Sequence, residues 1–240
     1  MATISIEKHM IRNPFGKKTT SNKNSKHEDY VELVRSEYQF FFRNVFQMLN
    51  FNGISGDYCE FGCHGARTFT TAHAALHAAT HSVDRHLWAF DSFLGLPESS
   101  LAEDEHPMWK AGTYKTGKDD FIKRCVEKGI PRDHFTVVPG FYEETLGKNR
   151  PEEAKLPKDV AFAFIDCDMY SSTQAVLGFI EPLLKNGMVI ALDDYFCYSA
   201  DRPSGERLAL LEMFHEHFRF KLLPYANFHW AGTSFIVEGK

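Results

Sequence analysis

Short apolar runs alternate with stretches of helical period along most of the chain. Residues 58–61, 87–90, 135–138, 160–165 and 188–192 are nearly continuous in apolar side chains, the pattern of strands covered on both faces. Between them, apolar positions three and four apart predict helices over 68–79, 118–128 and 172–185. A helix over 204–218 follows from Leu208, Leu211, Met213, Phe214 and Phe218, and 220–223 and 233–237 read as a final strand pair. Ahead of the first strand, Tyr30, Leu33, Val34, Tyr38, Phe41, Phe42, Val45 and Leu49 fall on one helical face over 29–49, with acids near its start as the helix dipole prefers. Strands and helices that alternate in this way build an α/β fold: a mainly parallel seven-stranded sheet with helices on both faces and an antiparallel C-terminal strand.

The polar stretches divide the chain. Residues 16–27 are basic and almost without apolar groups, so residues 1–28 read as a flexible N-terminal arm and 29–240 as a single domain. Residues 97–117 form a long polar segment between predicted elements, a lid-like insertion over the sheet edge.

Where strands end, acids begin. The run 160–165 meets Asp166 and Asp168, and 188–192 meets Asp193 and Asp194. A crossover helix makes these two strands parallel, so their carboxyl ends share the edge at which open α/β sheets bind ligands. Four carboxylates gathered there repel one another unless a cation or protons intervene, and carboxylate oxygens suit a hard ion such as Mg²⁺. At the first strand, Glu60-Phe61-Gly62-Cys63-His64-Gly65-Ala66-Arg67-Thr68 is a strand, glycine turn and helix start of the kind that cradles nucleotides. The second strand ends at Asp91, one βαβ step later, where an acid accepts hydrogen bonds from the hydroxyls of an adenosine ribose.

Three segments together resemble the class I S-adenosylmethionine methyltransferases, and within them the metal-dependent macrocin O-methyltransferase family. They are Ala89-Phe90-Asp91-Ser92-Phe93-Leu94-Gly95-Leu96-Pro97, Ile165-Asp166-Cys167-Asp168-Met169-Tyr170-Ser171-Ser172-Thr173 and Asp193-Asp194-Tyr195. The resemblance runs from about residue 57 to the carboxyl end. It implies a Rossmann-like class I methyltransferase fold and transfer of a methyl group to a hydroxyl of a sugar or sugar-bearing natural product. It implies S-adenosylmethionine held by the first loop (Glu60, Gly62, His64, Thr68), by Asp91 and Ser92, and by Gly140, Phe141 and Asp166. Asp166, Asp193 and Asp194 would be Mg²⁺ ligands and Asp168 the general base; equal parity along a strand would point Asp166 and Asp168 to one side, with Cys167 turned away. The first loop departs from the family, which places glycine where this chain has Ala66, while Gly65 comes one residue early.

Composition narrows the alternatives. A formal charge of −5 and a pI near 6.2 give no basic surplus for a nucleic-acid backbone, so a small-molecule substrate is expected. Five scattered cysteines, an odd number, suit reduced thiols in a cytoplasmic protein, and no apolar run is long enough to span a bilayer. The amino end lacks the apolar core of a signal peptide. The oligomeric state stays open between monomer and homo-oligomer.

Rival readings take Asp166-Cys167-Asp168 as the acid pair of a metal-dependent glycosyltransferase or a phosphotransfer enzyme, or the chain as a non-catalytic cofactor-binding module. The order of Glu60, its glycine turn and Asp91 ahead of the acid pair favours methyl transfer. His73, His77 and His81 repeat at four-residue spacing without the intervening Glu of a metalloprotease helix, so they read as surface or packing histidines.

Overall fold

The computed structural model describes residues 23–81, 83–147, 150, 155–216 and 218–239, with only the backbone of 23–26. Most of the expected arm therefore lies outside the described residues, and 23–28, assigned to it from the sequence, are helical. Contacts divide the chain after Arg35 into two units. The second, Ser36–Lys240, holds the sheet and the acids at its carboxyl edge.

Helix α1 (Lys23–Phe51) precedes strand β1 (Asp57–Phe61), helix α2 (Arg67–Ala78), strand β2 (Leu87–Asp91), helix α3 (Lys118–Glu127), strand β3 (Phe135–Pro139) and the short helix α4 (Tyr142–Thr145). Strand β4 (Val160–Ile165), helix α5 (Tyr170–Ile180), strand β5 (Val189–Leu192), helix α6 (Gly205–Met213), strand β6 (Phe220–Phe228) and strand β7 (Gly232–Gly239) complete it. The sheet order is β3-β2-β1-β4-β5-β7-β6. Neighbours from β3 to β5 pair parallel, whereas β7 runs antiparallel to both β5 and β6. Each element foreseen from the sequence is present. The main differences are a final hairpin longer than the pattern showed and an α6 that stops at Met213 instead of reaching 218.

Side-chain alternation along β4 explains both layers. Phe162 and Phe164 point to the α1 side, where Phe41 meets Phe162 edge-on at 6.0 Å between ring centroids and stacks on Phe228 at 4.0 Å. Phe42 packs against Phe164 at 5.1 Å. Ala163 and Ile165 face the other way, into a cluster with Val176, Leu177 and Ile180 of α5. From β4, aliphatic side chains meet α5 on that face and aromatic ones meet α1 on the other; each buried Phe contributes about 1.5–3 kcal/mol. Among the described residues no helix is long and apolar enough to cross a membrane, and the five cysteines are free thiols.

Candidate active site at the carboxyl edge of the sheet

Backbone bonds carry the parallel register one residue past the strand ends. Gly62 N–H donates to the Phe90 carbonyl, Asp166 N–H to Phe61 and Asp193 N–H to Ile165, each at 2.8 Å. Gly62 sits at φ +90°, and a Cβ there would collide with the Asp166 carbonyl oxygen. The first loop and the acid loop are thus in contact only because residue 62 lacks a side chain.

Asp91 organises the first loop. Its Oδ2 accepts the N–H groups of Cys63 at 2.8 Å and His64 at 3.0 Å, and its Oδ1 accepts that of Phe93 at 2.6 Å. Two acceptor positions on Oδ2 are filled, leaving Oδ1 one lone pair for an outside donor. Ala66 takes the left-handed conformation, φ 64°, that glycine usually supplies. Glu60 and Thr68, expected at the cofactor, do not reach the cavity. Glu60 is wholly buried and its carboxyl accepts the Tyr58 hydroxyl and the Thr68 hydroxyl, the latter at 2.7 Å, so the pair braces the loop from beneath. Burial pushes Glu60 up to about 8 despite those bonds. Gly140 also stays off the cavity wall, donating its N–H to the Asp91 carbonyl at 3.0 Å, while its neighbour Phe141 lines the cavity.

The cavity has a volume of about 500 Å³ and brings Gly62, His64, Asp91 and Ser92 on one side to Asp166, Asp168, Asp193 and Asp194 on the other. Oxygens of Asp166, Asp168 and Asp194 lie within 4.8 Å of one another. Burial first, and then the charges of their neighbours, push Asp166 and Asp168 well above the usual carboxylate range and raise Asp194 as well. No Lys or Arg side chain forms an ion pair with these acids among the described residues. A compact all-oxygen donor set short of positive charge fits a hard divalent cation.

Two details depart from what the resemblance implies. Asp168 does not arrive by strand alternation, because β4 ends at Ile165. Met169 N–H bonds to the Cys167 carbonyl at 2.6 Å, a tight turn that holds Asp168 at φ 61° and swings its carboxylate into the cluster. Asp193, expected as a metal ligand, lines the same cavity but is not one of the three converging acids: both its oxygens accept the Tyr38 hydroxyl, at 2.8 and 2.9 Å, and Oδ1 also accepts His229 Nε2 at 3.1 Å.

Several groups that hold the site carry no motif in the sequence. Glu206 is fully buried, and its two oxygens accept the N–H groups of Cys167 at 2.9 Å and Asp194 at 3.0 Å, tying both acid loops to the start of α6. Asp104, in the 97–117 segment, accepts Ser171 N–H at 2.9 Å in the first turn of α5. The same segment is closed at its neck by Leu96 and Gly112–Thr113 backbone bonds, and it contributes His106, Met108 and Trp109 to the cavity. His64 leans on that segment too, donating Nδ1–H to the Tyr114 carbonyl at 2.7 Å. Arg67 lies over the Tyr38 ring, 5.4 Å from its centroid.

Residues 35–208 match the family model described as macrocin-O-methyltransferase (TylF). The chain belongs to the macrocin O-methyltransferase family. Mycinamicin III 3''-O-methyltransferase of Micromonospora griseorubida is 28% identical over 162 residues, 64% of this chain and 60% of that protein. The 8-demethyl-8-(2,3-dimethoxy-alpha-L-rhamnosyl)-tetracenomycin-C 4'-O-methyltransferase of Streptomyces olivaceus is 27% identical over 153 residues, 60% of this chain and 54% of that protein. The chain therefore aligns with little more than half the length of these curated relatives. The solved O-methyltransferase NovP matches the fold at a TM-score of 0.67 and 20% identity, covering 83% of this chain and 79% of its own. The Rossmann-like methyltransferase fold expected from the three segments is the fold observed, and membership of the macrocin O-methyltransferase family weighs against reading Asp166 and Asp168 as a glycosyl- or phosphotransfer pair.

Proposed function

We propose that this macrocin-family chain transfers a methyl group from S-adenosylmethionine to a hydroxyl of a sugar or sugar-bearing natural product, with Mg²⁺ held by Asp166, Asp193 and Asp194. The observation that carries the reading is one cavity with a nucleoside-type loop around Asp91 on one side and four carboxylates on the other. The relatives' names support the acceptor class, since one of them names a rhamnosyl-bearing tetracenomycin as the molecule methylated.

Bound S-adenosylmethionine supplies a methyl group on a positively charged sulfur. Mg²⁺ held there would offset the repulsion among the carboxylates and lower the pKa of a hydroxyl beside it. The residues do the remainder. Oδ1 of Asp91 would accept one ribose hydroxyl, while its bonds to the Cys63, His64 and Phe93 N–H groups keep the loop in shape. Tyr38 and His229 orient the Asp193 carboxylate without using all its lone pairs, as partners behind metal ligands commonly do. Asp168 lines the cavity beside Asp194, where it would accept the proton that the acceptor hydroxyl gives up on methylation. Met108, Trp109 and the exposed Trp230 supply apolar surface for a glycoside.

The test is formation of S-adenosylhomocysteine from S-adenosylmethionine over a panel of free deoxysugars, nucleotide sugars and glycosylated macrolides, with and without a chelator. Turnover that chelation abolishes and Mg²⁺ restores supports the whole reading. Unchanged turnover after chelation removes the metal, and calorimetry showing no binding of either cofactor form removes the methyltransferase.

A further inference from the structure

The opposite edge of the sheet carries a second set of convergent ligands. His73 and His77 lie one turn apart on α2, and His134 ends the 3-10 turn Arg132–His134 that leads into β3. His73 Nε2 and His77 Nε2 are 3.0 Å apart, and one ring nitrogen from each of the three histidines falls within 4.8 Å of the others. The His77 and His134 rings are 6.3 Å apart at their centroids, inclined by 31°. His81, expected from its spacing to continue the row, has left the helix at φ 55° and takes no part.

We propose that His73, His77 and His134 form a binding site for a borderline divalent metal ion of the Zn²⁺ type, separate from the carboxylate cluster. Zn–N bonds of about 2.0–2.1 Å at tetrahedral angles put ligand nitrogens about 3.3–3.5 Å apart. The observed spacing brackets that value, so small side-chain rotations suffice. Two histidines four apart on a helix share a face, the arrangement that helical zinc sites use, and the third comes from a separate element as a chelating clip requires. Imidazole nitrogens suit Zn²⁺, Cu²⁺ or Ni²⁺ better than Mg²⁺, whereas the carboxylates suit a hard ion such as Mg²⁺. His73 is buried and, by that burial first and its histidine neighbours second, is held neutral, the form that ligates. His77 and His134 are exposed, so an ion can reach the site from solvent and keep water in the fourth position. Because His134 precedes the first residue of β3 while the acids follow the last residues of β4 and β5, the two sites sit at opposite ends of the parallel strands. The ion would pin α2 to the start of β3.

The experiment is equilibrium dialysis of the metal-stripped full chain against Zn²⁺ with Mg²⁺ in large excess, compared with His134→Ala and the double variant His77→Ala/His134→Ala. Wild type is expected to retain one Zn²⁺ per chain that both variants lose, with affinity lowered at least tenfold, and to gain thermal stability on zinc addition that the variants do not. Both substituted side chains are exposed, so the metal-free variants should unfold within about 2 °C of wild type. Equal zinc uptake by wild type and double variant, or no uptake by either, overturns the site and leaves His73 and His77 as a hydrogen-bonded pair. Neither result depends on the methyl-transfer reading.

Discussion

Tyr38 donates its hydroxyl to the Asp193 carboxylate, 2.8 Å from Oδ1 and 2.9 Å from Oδ2, across 155 positions of sequence. The bond links the aromatic layer of α1 to the acid edge of the sheet, since the same ring sits among Phe42, Phe164 and Phe228. A hydrogen bond to a charged group contributes about 1.5–3 kcal/mol. Tyr38→Phe keeps the packing and removes only the hydroxyl. Metal affinity measured by Mg²⁺ titration of turnover should weaken about 10–100-fold, and the unfolding midpoint should fall by several degrees. Unchanged Mg²⁺ dependence would mean that Asp193 is not a ligand.

Glu206 should behave differently, because it holds backbone N–H groups and not a carboxylate side chain. In Glu206→Gln the amide nitrogen cannot accept, so either Cys167 N–H or Asp194 N–H is left unpaired in the interior. An unpaired buried donor costs about 1–3 kcal/mol. The unfolding midpoint should fall and turnover should fall with it, since one acid loop loses its anchor. A variant with wild-type stability would show that water replaces the lost acceptor.

The contrast between these residues shows how far the site was legible. Asp166, Asp168, Asp193 and Asp194 announce themselves because each pair follows directly on a buried apolar strand, and parallel connection puts the ends of those strands together. Glu206 looks like any acid in the first turn of a helix, and Tyr38 like any core aromatic on an amphipathic face. Their roles arise from contacts across the fold, which periodicity does not encode. Glu60 errs the other way: its place in a strand–glycine–helix segment suggests a ligand contact, yet alternation turns it to the same side as Tyr58, into the core. His134 joins two histidines of α2 only because β3 pairs beside β2.

Cofactor and metal roles separate by substitution. Asp91→Ala removes the acceptor of three backbone N–H groups as well as the lone pair that the proposed function assigns to a ribose hydroxyl. Calorimetry should show S-adenosylmethionine affinity lowered about tenfold or more, the equivalent of about 1.4 kcal/mol. Asp194→Asn should leave that affinity nearly unchanged while abolishing Mg²⁺-dependent turnover. Equal cofactor affinity in Asp91→Ala and wild type would remove Asp91 from the cofactor site.

Gly62→Ala tests the junction between the two halves of the site. The residue needs φ +90°, and the added methyl would strike the Asp166 carbonyl oxygen. Strain and overpacking each cost about 1–3 kcal/mol at such positions. Thermal unfolding should move down by several degrees, and both cofactor and metal affinity should drop together because the loops can no longer approach.

Glu60 gives the fold a pH dependence of its own. Its carboxyl is pushed from 4.5 up to about 8 by complete burial, so the folded chain keeps a proton that the unfolded chain releases. Stability from this group is fully present below the unfolded value of about 4.5 and is lost as pH rises through about 8, because there the unfolded state binds fewer protons than the folded one. The acid cluster adds a trend of the same sign, which saturating Mg²⁺, bound as proposed, would suppress by favouring its ionised form. Unfolding midpoints measured in Mg²⁺ at about pH 5 and about pH 8.5 should therefore fall for the wild type and fall less for Glu60→Gln, whose amide is neutral throughout. The variant keeps a carbonyl oxygen for the Thr68 or Tyr58 hydroxyl, so its loss at low pH should stay near the cost of one hydrogen bond, about 1 kcal/mol. Parallel midpoint curves for the two proteins would show that Glu60 is ionised in the folded state and that its two hydroxyl partners outweigh its burial.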